Sequence, residues 1–420
     1  VDESRAHGRE VAVLRRATTA DGSRVDVHMS GGTVTAVVPA TPEAVVADDL
    51  DLDGYLLLPA PAEPHAHLDK ALSWNEIRPP MGDLASAITA WRDYSAQLTV
   101  TGVAARARRA ALSLLANGTT AVRTHVDLLP GPEPLRGVHA LLQVREELAS
   151  VMDIQLTALT PHDVGDEIVE EAIDLGVDFV GGSPHHAPDP SATLQRLLSI
   201  AKRRGVGVDM HTDEQLDPNV LTLLELAETV RGWPDDIPVT AGHCVSLGTV
   251  DPGVRAHVIE AVRATGIGIV ALPITNLYLQ GWGHPVATPR GLTPVRALLD
   301  AGVRVAGGAD NVRDPFNPLG RSDALETAML LVTAGHLTTT EAYEAVSTSA
   351  RDIMSLPLAG VAVGAQADFL AIRAHDLDEA VAEAPSSRHV LHRGRLVATS
   401  VVSSSVHVPL AASLESEVRS

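Results

Sequence analysis

Residues 54–72 read GYLLLPAPAEPHAHLDKAL. An apolar run passes into Glu63-Pro64, then into His65-Ala66-His67, with Asp69 and Lys70 directly behind. Side chains two apart on a strand project to one face, so both imidazoles can reach a single ion. Taken alone, His-x-His also suits a histidine-rich turn. The stretch bears on the fold as well. An open doubly wound sheet usually follows its first strand with a glycine-rich phosphate turn, whereas here the strand ends in histidines. That favours a closed barrel with its site at the strand ends.

Working outward, seven more short β-branched runs follow the first, YLLLPA at 55. They are AVRTHVD at 121, DIQLTAL at 153, DFVGGSPH at 178, GVGVDMHTDE at 205, PVTAGHC at 238, GIGIVALPITN at 266 and VRVAGGADN at 303. Ala- and Leu-rich helical patterns separate them, such as residues 102–118, closed by Asn117-Gly118. Eight strand-then-helix units predict an α/β fold, a TIM-like (β/α)8 barrel. Both chain ends have a different texture. EVAVLRRAT, SRVDVHM and TVTAVVP at the start, and ADFLAIRA and SRHVLHRGRLVATS near the finish, read as short strands, with a hairpin tip at Arg393-Gly394. The expected organisation is a small β-sandwich built from residues 1–58 and 359–420, the latter including a C-terminal tail, around a barrel spanning 59–358.

Composition narrows the partners. The 420-residue chain has a formal charge of −21, which repels a phosphate backbone, so nucleic acid is not expected. A small neutral or cationic substrate fits better, although charge of this kind also serves solubility alone. The single cysteine, Cys244, excludes an intrachain disulfide and a thiolate zinc cage. No apolar run approaches about 18 residues, so no membrane span is expected. The polar N-terminus lacks an apolar signal core, and a cytoplasmic location is expected. Association into a homo-oligomer is left open.

Unusual polar residues collect at the carboxyl ends of the expected strands. These are His65 and His67 on the first, His125 and Asp127 on the second, and His185 and His186 on the fourth. His211 with Asp213 and Glu214 follows on the fifth, His243 on the sixth, and Asp310 and Asn311 on the eighth. One buried histidine is usually a hydrogen-bonded core residue, but this repetition points to a metal site. Nitrogen and carboxylate donors without sulfur suit Zn²⁺ or Fe²⁺. Glu214 is placed to move protons, or to serve as a surface acid of the next helix; Asp213 suits the capping role better. His243 reads either as a ligand or as a hydrogen-bonding neighbour, and Asp310 as a ligand or a helix cap. Gln155 is an odd polar residue in an apolar run and needs partners. The fourth strand carries no lysine to be carboxylated, so one divalent ion per chain is expected rather than two. Neither HExxH nor the cysteine-based deaminase signature is present.

The blocks EPHAHLDK, VRTHVD, DIQLTAL, VGGSPH, VDMHTDE, VTAGHC, NLYLQG and GGADNVRDPFNPLG resemble the amidohydrolase superfamily, and within it the bacterial cytosine deaminases, over residues 55 to 400. The resemblance implies that His65, His67, His211 and Asp310 bind one divalent ion, zinc or iron. It implies that Glu214 shuttles a proton to a ring nitrogen, that His243 hydrogen-bonds the hydroxide and stabilises the tetrahedral intermediate, that Asp310 accepts the hydroxide proton, and that Gln155, Asn311 and His185 contact a small heterocyclic substrate. The implied reaction is hydrolytic deamination of cytosine, isocytosine, 5-methylcytosine, a pterin or creatinine. Hydrolysis of a cyclic amide or of an N-alkylamino triazine is the alternative. The chain departs from the cytosine deaminase pattern at Asn311, where that family tends to have a second acid, and at Trp282, which stands in place of a basic residue. HLDK and ADNVRD are similar to relatives that hydrolyse N-alkylamino triazines, but those relatives lack a counterpart of Glu214. Asp69 and Lys70 receive no firm role.

Overall fold

The computed structural model describes residues 8–42 and 44–407. Eight parallel strands form one sheet in sequence order: β1 (Ala62–Ala66), β2 (Ala121–Asp127), β3 (Asp153–Thr160), β4 (Phe179–Gly182), β5 (Gly207–Thr212), β6 (Val239–His243), β7 (Gly268–Ala271) and β8 (Val305–Gly307). Between the outer strands the gap is closed by a parallel bridge between Ala66 and Asp310. Asp310 N–H donates to the His65 carbonyl at 3.0 Å, and His67 N–H to the Asp310 carbonyl at 3.3 Å. The result is the (β/α)8 barrel that the strand-and-helix alternation predicts.

A second, nine-stranded sheet is assembled from the two ends of the chain. In it Leu56–Pro59 pairs antiparallel with Phe369–Ile372, and Arg388–His392 with Arg395–Ser400. The latter hairpin turns at Arg393 and Gly394, both at positive φ (49° and 74°), as a two-residue turn matched to strand twist requires.

One strand differs from its sequence reading. YLLLPA belongs to this second sheet, and the first barrel strand is the next run, Ala62–Ala66. The cause is burial on both faces. Leu56 and Leu58 pack into the barrel-side core while Leu57 packs into the core of the outer sheet. A strand sandwiched between two cores reads as a continuous apolar run, like a parallel barrel strand.

Helix ends follow local chemistry. The helix Val100–Ala116 starts at Thr99, whose side chain accepts from Gly102 N, and ends before Gly118 at φ 114°. Leu84–Ser95 starts at Asp83, which accepts from Ser86 N. Deep in the barrel, the fully buried Arg123 is held by Asp209 Oδ2 and Thr240 Oγ1, both at 3.1 Å, and stacks on Phe179. A buried guanidinium needs such pairing to persist. No helix among the described residues is long and apolar enough to cross a membrane.

Candidate metal and catalytic site

The carboxyl ends of β1, β5, β6 and β8 bring His65, His67, His211, His243 and Asp310 together, all buried. Nε2 of His211 lies 3.3 Å from Nε2 of His65 and 3.1 Å from Nε2 of His67. Oδ1 of Asp310 is 3.1 Å from Nε2 of His67 and 3.6 Å from Nε2 of His65. Nε2 of His243 is 3.9 Å from Oδ2 of Asp310. Backbone conformation contributes to this convergence. Asp213, His243 and Asp310 all sit at positive φ, 52°, 67° and 60°. Such conformations cost non-glycine residues on the order of 1–3 kcal/mol each and gather where side chains must be aimed. Gly242 makes room as well, since a Cβ there would lie 2.9 Å from the His65 ring.

The donor set fits a cation. Both carboxylate oxygens of Asp310 are buried without a hydrogen-bond donor. The facing imidazole nitrogens cannot all donate to one another. Burial holds His65, His67 and His211 well below the usual histidine range, which leaves neutral rings with lone pairs to offer. Burial also pushes Asp310 well above the carboxylate range, with Glu214 and Asp314 adding to the effect. A divalent ion reverses that penalty, and nitrogen with carboxylate is its usual company.

Glu214 follows β5, and its Oε1 lies 3.4 Å from Nδ1 of His243. Burial pushes its carboxyl up to about 8; a neighbouring cation favours the carboxylate again. Nδ1 of His243 is also 3.0 Å from Oδ1 of Asn276, which leaves Nε2 without a partner and turned toward Asp310. Burial lowers His243 to about 4. His185 lies beside Glu214 and His186, with both ring nitrogens unpartnered. Asp213 is a cap: Oδ1 accepts from the Thr222 amide and hydroxyl, and Oδ2 from Leu223 N.

One expected substrate contact is placed away from the cluster. Gln155 sits at the start of β3, two residues before Thr157, which is level with His125. Its Oε1 accepts from Arg123 and its Nε2 donates to the Met354 carbonyl, so both ends of the amide are spent at the far end of the barrel. The structure does not bring Gln155 to the histidine cluster. Asn311 adjoins Asp310, and its Nδ2 donates one of its two hydrogens to Asp314 Oδ2 at 2.9 Å within its own loop.

Other residues enter the site without a role read from sequence. Nε2 of His125 lies 3.7 Å from Asp209, and its ring lies 4.1 Å from that of His65. Glu63 accepts from His65 N and Ala309 N, tying β1 to β8. Gln280 Nε2 donates to the Glu214 carbonyl. Asn276 and Gln280 both belong to the block NLYLQG, the one available signal for them.

A (β/α)8 barrel with histidines and an aspartate at the strand ends is the build of a metal-dependent hydrolase. The chain belongs to the amidohydrolase family, whose model matches residues 100–398. It is 34% identical over 388 residues to a pterin deaminase of Rhizobium rhizogenes, covering 89% of this chain and 88% of that one. The structure of 5-methylcytosine deaminase from Klebsiella pneumoniae, liganded with 5-fluorocytosine, superposes with a TM-score of 0.86 at 28% identity, over 94% of this chain and 99% of that one. N-isopropylammelide isopropylaminohydrolase from Burkholderia multivorans does so with a TM-score of 0.77 at 28% identity, over 92% and 98%. The chain is thus a hydrolase acting on carbon–nitrogen bonds outside peptides.

Proposed function

We propose that the protein hydrolytically deaminates a pterin-type ring, releasing ammonia and the corresponding oxo ring. The observation carrying the reaction type is Glu214, a buried carboxyl facing His243 beside the metal-ligating cluster. The 34% identity with a pterin deaminase over nearly the whole chain supports the ring. His65, His67, His211 and Asp310 would hold one divalent ion, zinc or iron, which when bound supplies the Lewis acidity that activates water.

The chain's own groups then divide the proton work. Water adds to the amino-bearing ring carbon. Glu214 takes one proton from that water and delivers it to the adjacent ring nitrogen. Nε2 of His243 hydrogen-bonds the incoming oxygen, since Nδ1 faces Asn276. Asp310 accepts the second proton and passes it to the leaving amine. The carbon–nitrogen bond breaks and ammonia departs, so water's oxygen ends on the ring. His185, with free ring nitrogens near Glu214, would contact the substrate.

A second reading, removal of an N-alkylamine from a triazine-like ring, is favoured by the likeness to the isopropylaminohydrolase. One assay separates the two. Zinc- and iron-loaded protein is offered pterin, 5-methylcytosine, cytosine and N-isopropylammelide, and ammonia and isopropylamine are quantified. Ammonia from pterin supports the proposal. Isopropylamine alone supports the second reading, and no amine from any ring contradicts both.

A further inference from the structure

The fourth strand ends in a pair of histidines, of which the proposed reaction uses only His185. β4 closes at Gly182, and Ser183 leads into a single tight turn, Pro184–His186. The His186 amide donates to the Ser183 carbonyl at 3.1 Å, and the Ala187 amide to the Pro184 carbonyl at 2.9 Å, which fixes that turn. His185 is buried and His186 is exposed beside it, their ring centroids 4.0 Å apart.

Facing them at the end of β5 is the buried Glu214 carboxyl. One donor atom from each of His185, His186 and Glu214 lies within 4.8 Å of the other two. Ordinary packing does not account for this group. A buried imidazole normally hydrogen-bonds through at least one nitrogen, and His185 bonds through neither. Burial holds both rings below the usual histidine range, and His186 and His243 add to the effect at His185, so each ring is neutral with a lone pair to give.

Two neutral imidazoles and a carboxylate, without sulfur, make a donor set of the zinc type. Donors about 2.0–2.2 Å from one zinc ion stand about 3.4 Å from each other, and rotation of the exposed His186 ring supplies that last convergence. None of the three residues belongs to the His65–His67–His211–Asp310 set, so filling one site does not empty the other.

We propose that His185, His186 and Glu214 form a second, inhibitory site for a zinc-type divalent cation, entered from solvent past His186. A cation there occupies the carboxylate that carries the proton and the His185 ring together, so turnover stops while the first ion stays bound. The site rests on its own geometry; its effect on turnover rests on the reading of Glu214 as the proton carrier.

The test is zinc uptake by ion-free full-length protein across a series of buffered free-zinc concentrations. Bound zinc per chain is read by elemental analysis, with ammonia release from pterin followed on the same samples and melting of the ion-free proteins as the check on folding. Uptake should proceed in two steps of one ion each, with turnover appearing at the first and falling by at least about 10²-fold at the second, the loss expected when a general acid–base group is disabled. His186→Gln should keep the first step and the turnover that comes with it. Its second step and its inhibition should move to at least about 10-fold higher zinc, since even groups behind a ligand cost that much. Glu214→Gln should keep the first step and weaken the second. His257→Gln, which removes an exposed histidine on the outer helix Pro252–Thr265, should change neither step. A single step of uptake, or a second step that is unmoved in folded His186→Gln and Glu214→Gln proteins, would overturn the inference. Two-step uptake that shifts in these variants, with no ring deaminated, would uphold the site and overturn the deaminase reading instead.

Discussion

Asp310 and His65 are joined through their backbones as well as brought together through their side chains. The Asp310 amide donates to the His65 carbonyl at 3.0 Å, and their side chains stand 3.6 Å apart at Nε2 and Oδ1. Closing the barrel and assembling the ligand set are therefore one event. The backbone bond survives a side-chain change, so the two effects can be separated. Asp310→Asn keeps a residue that tolerates positive φ. Zinc affinity should fall by at least about 10-fold, while the ion-free protein should melt at the same temperature or higher, because an unpaired buried carboxyl is removed. Chelator competition and calorimetry on ion-free samples check both halves.

Glu214→Gln should leave the fold and the bound ion in place and remove the proton carrier. The expected loss in kcat is about 10²- to 10⁴-fold, with little change in KM, the range for a positioned general acid–base group. Steady-state ammonia release with metal-loaded protein measures it.

Gln155→Ala should behave as a structural change. Its amide joins Arg123 to the Met354 carbonyl at the end of the barrel away from the histidines. Stability should drop by about 1–3 kcal/mol as buried partners lose their bonds, with KM for the ring unchanged. Denaturant unfolding and a KM measurement distinguish this from a substrate contact.

Asp368 links the second sheet to the barrel and sets an acid limit. It is held by His392 Nδ1 at 3.1 Å, Arg351 Nη1 at 3.2 Å and Thr120 Oγ1 at 2.9 Å. Burial alone would raise its pKa, but these partners outweigh it and bring the carboxyl down from 3.8 to about 2. A depressed folded pKa gives stability that is present above the unfolded value and lost as pH falls through the folded one. The contribution is about 2 kcal/mol at neutral pH, lost between about pH 4 and pH 2. Asp368→Asn should lower stability at pH 7 and flatten the acid branch of the unfolding curve in that window.

The barrel and most of the strand-end cluster are legible in the sequence because short β-branched runs alternate with helical patterns and repeatedly end in an imidazole or a carboxylate, which are signals within each unit. YLLLPA was misplaced since two cores bury both its faces, which pattern alone does not distinguish from a barrel strand. Gln155 differs for another reason: it stands near the start of DIQLTAL, away from the carboxyl ends, and only the resemblance gave it a substrate contact. The Lys70–Asp127–Trp91 contacts were illegible because they join positions 70, 127 and 91 only through the closed barrel. Asn276 and Gln280 lay in a recognised block, yet their roles depend on His243 and Glu214 being brought across from other strands.

The central claim is metal-dependent hydrolytic removal of ammonia from a pterin-type ring at the His65–His67–His211–Asp310 cluster. The most direct measurement is turnover of pterin in heavy-oxygen water by zinc- or iron-loaded protein, with mass analysis of the ring product and quantitation of ammonia. The account predicts one heavy oxygen in the ring product and one ammonia per turnover, both abolished when the ion is stripped and restored when it is returned. An unlabelled product, or turnover that persists in ion-free protein, would contradict it.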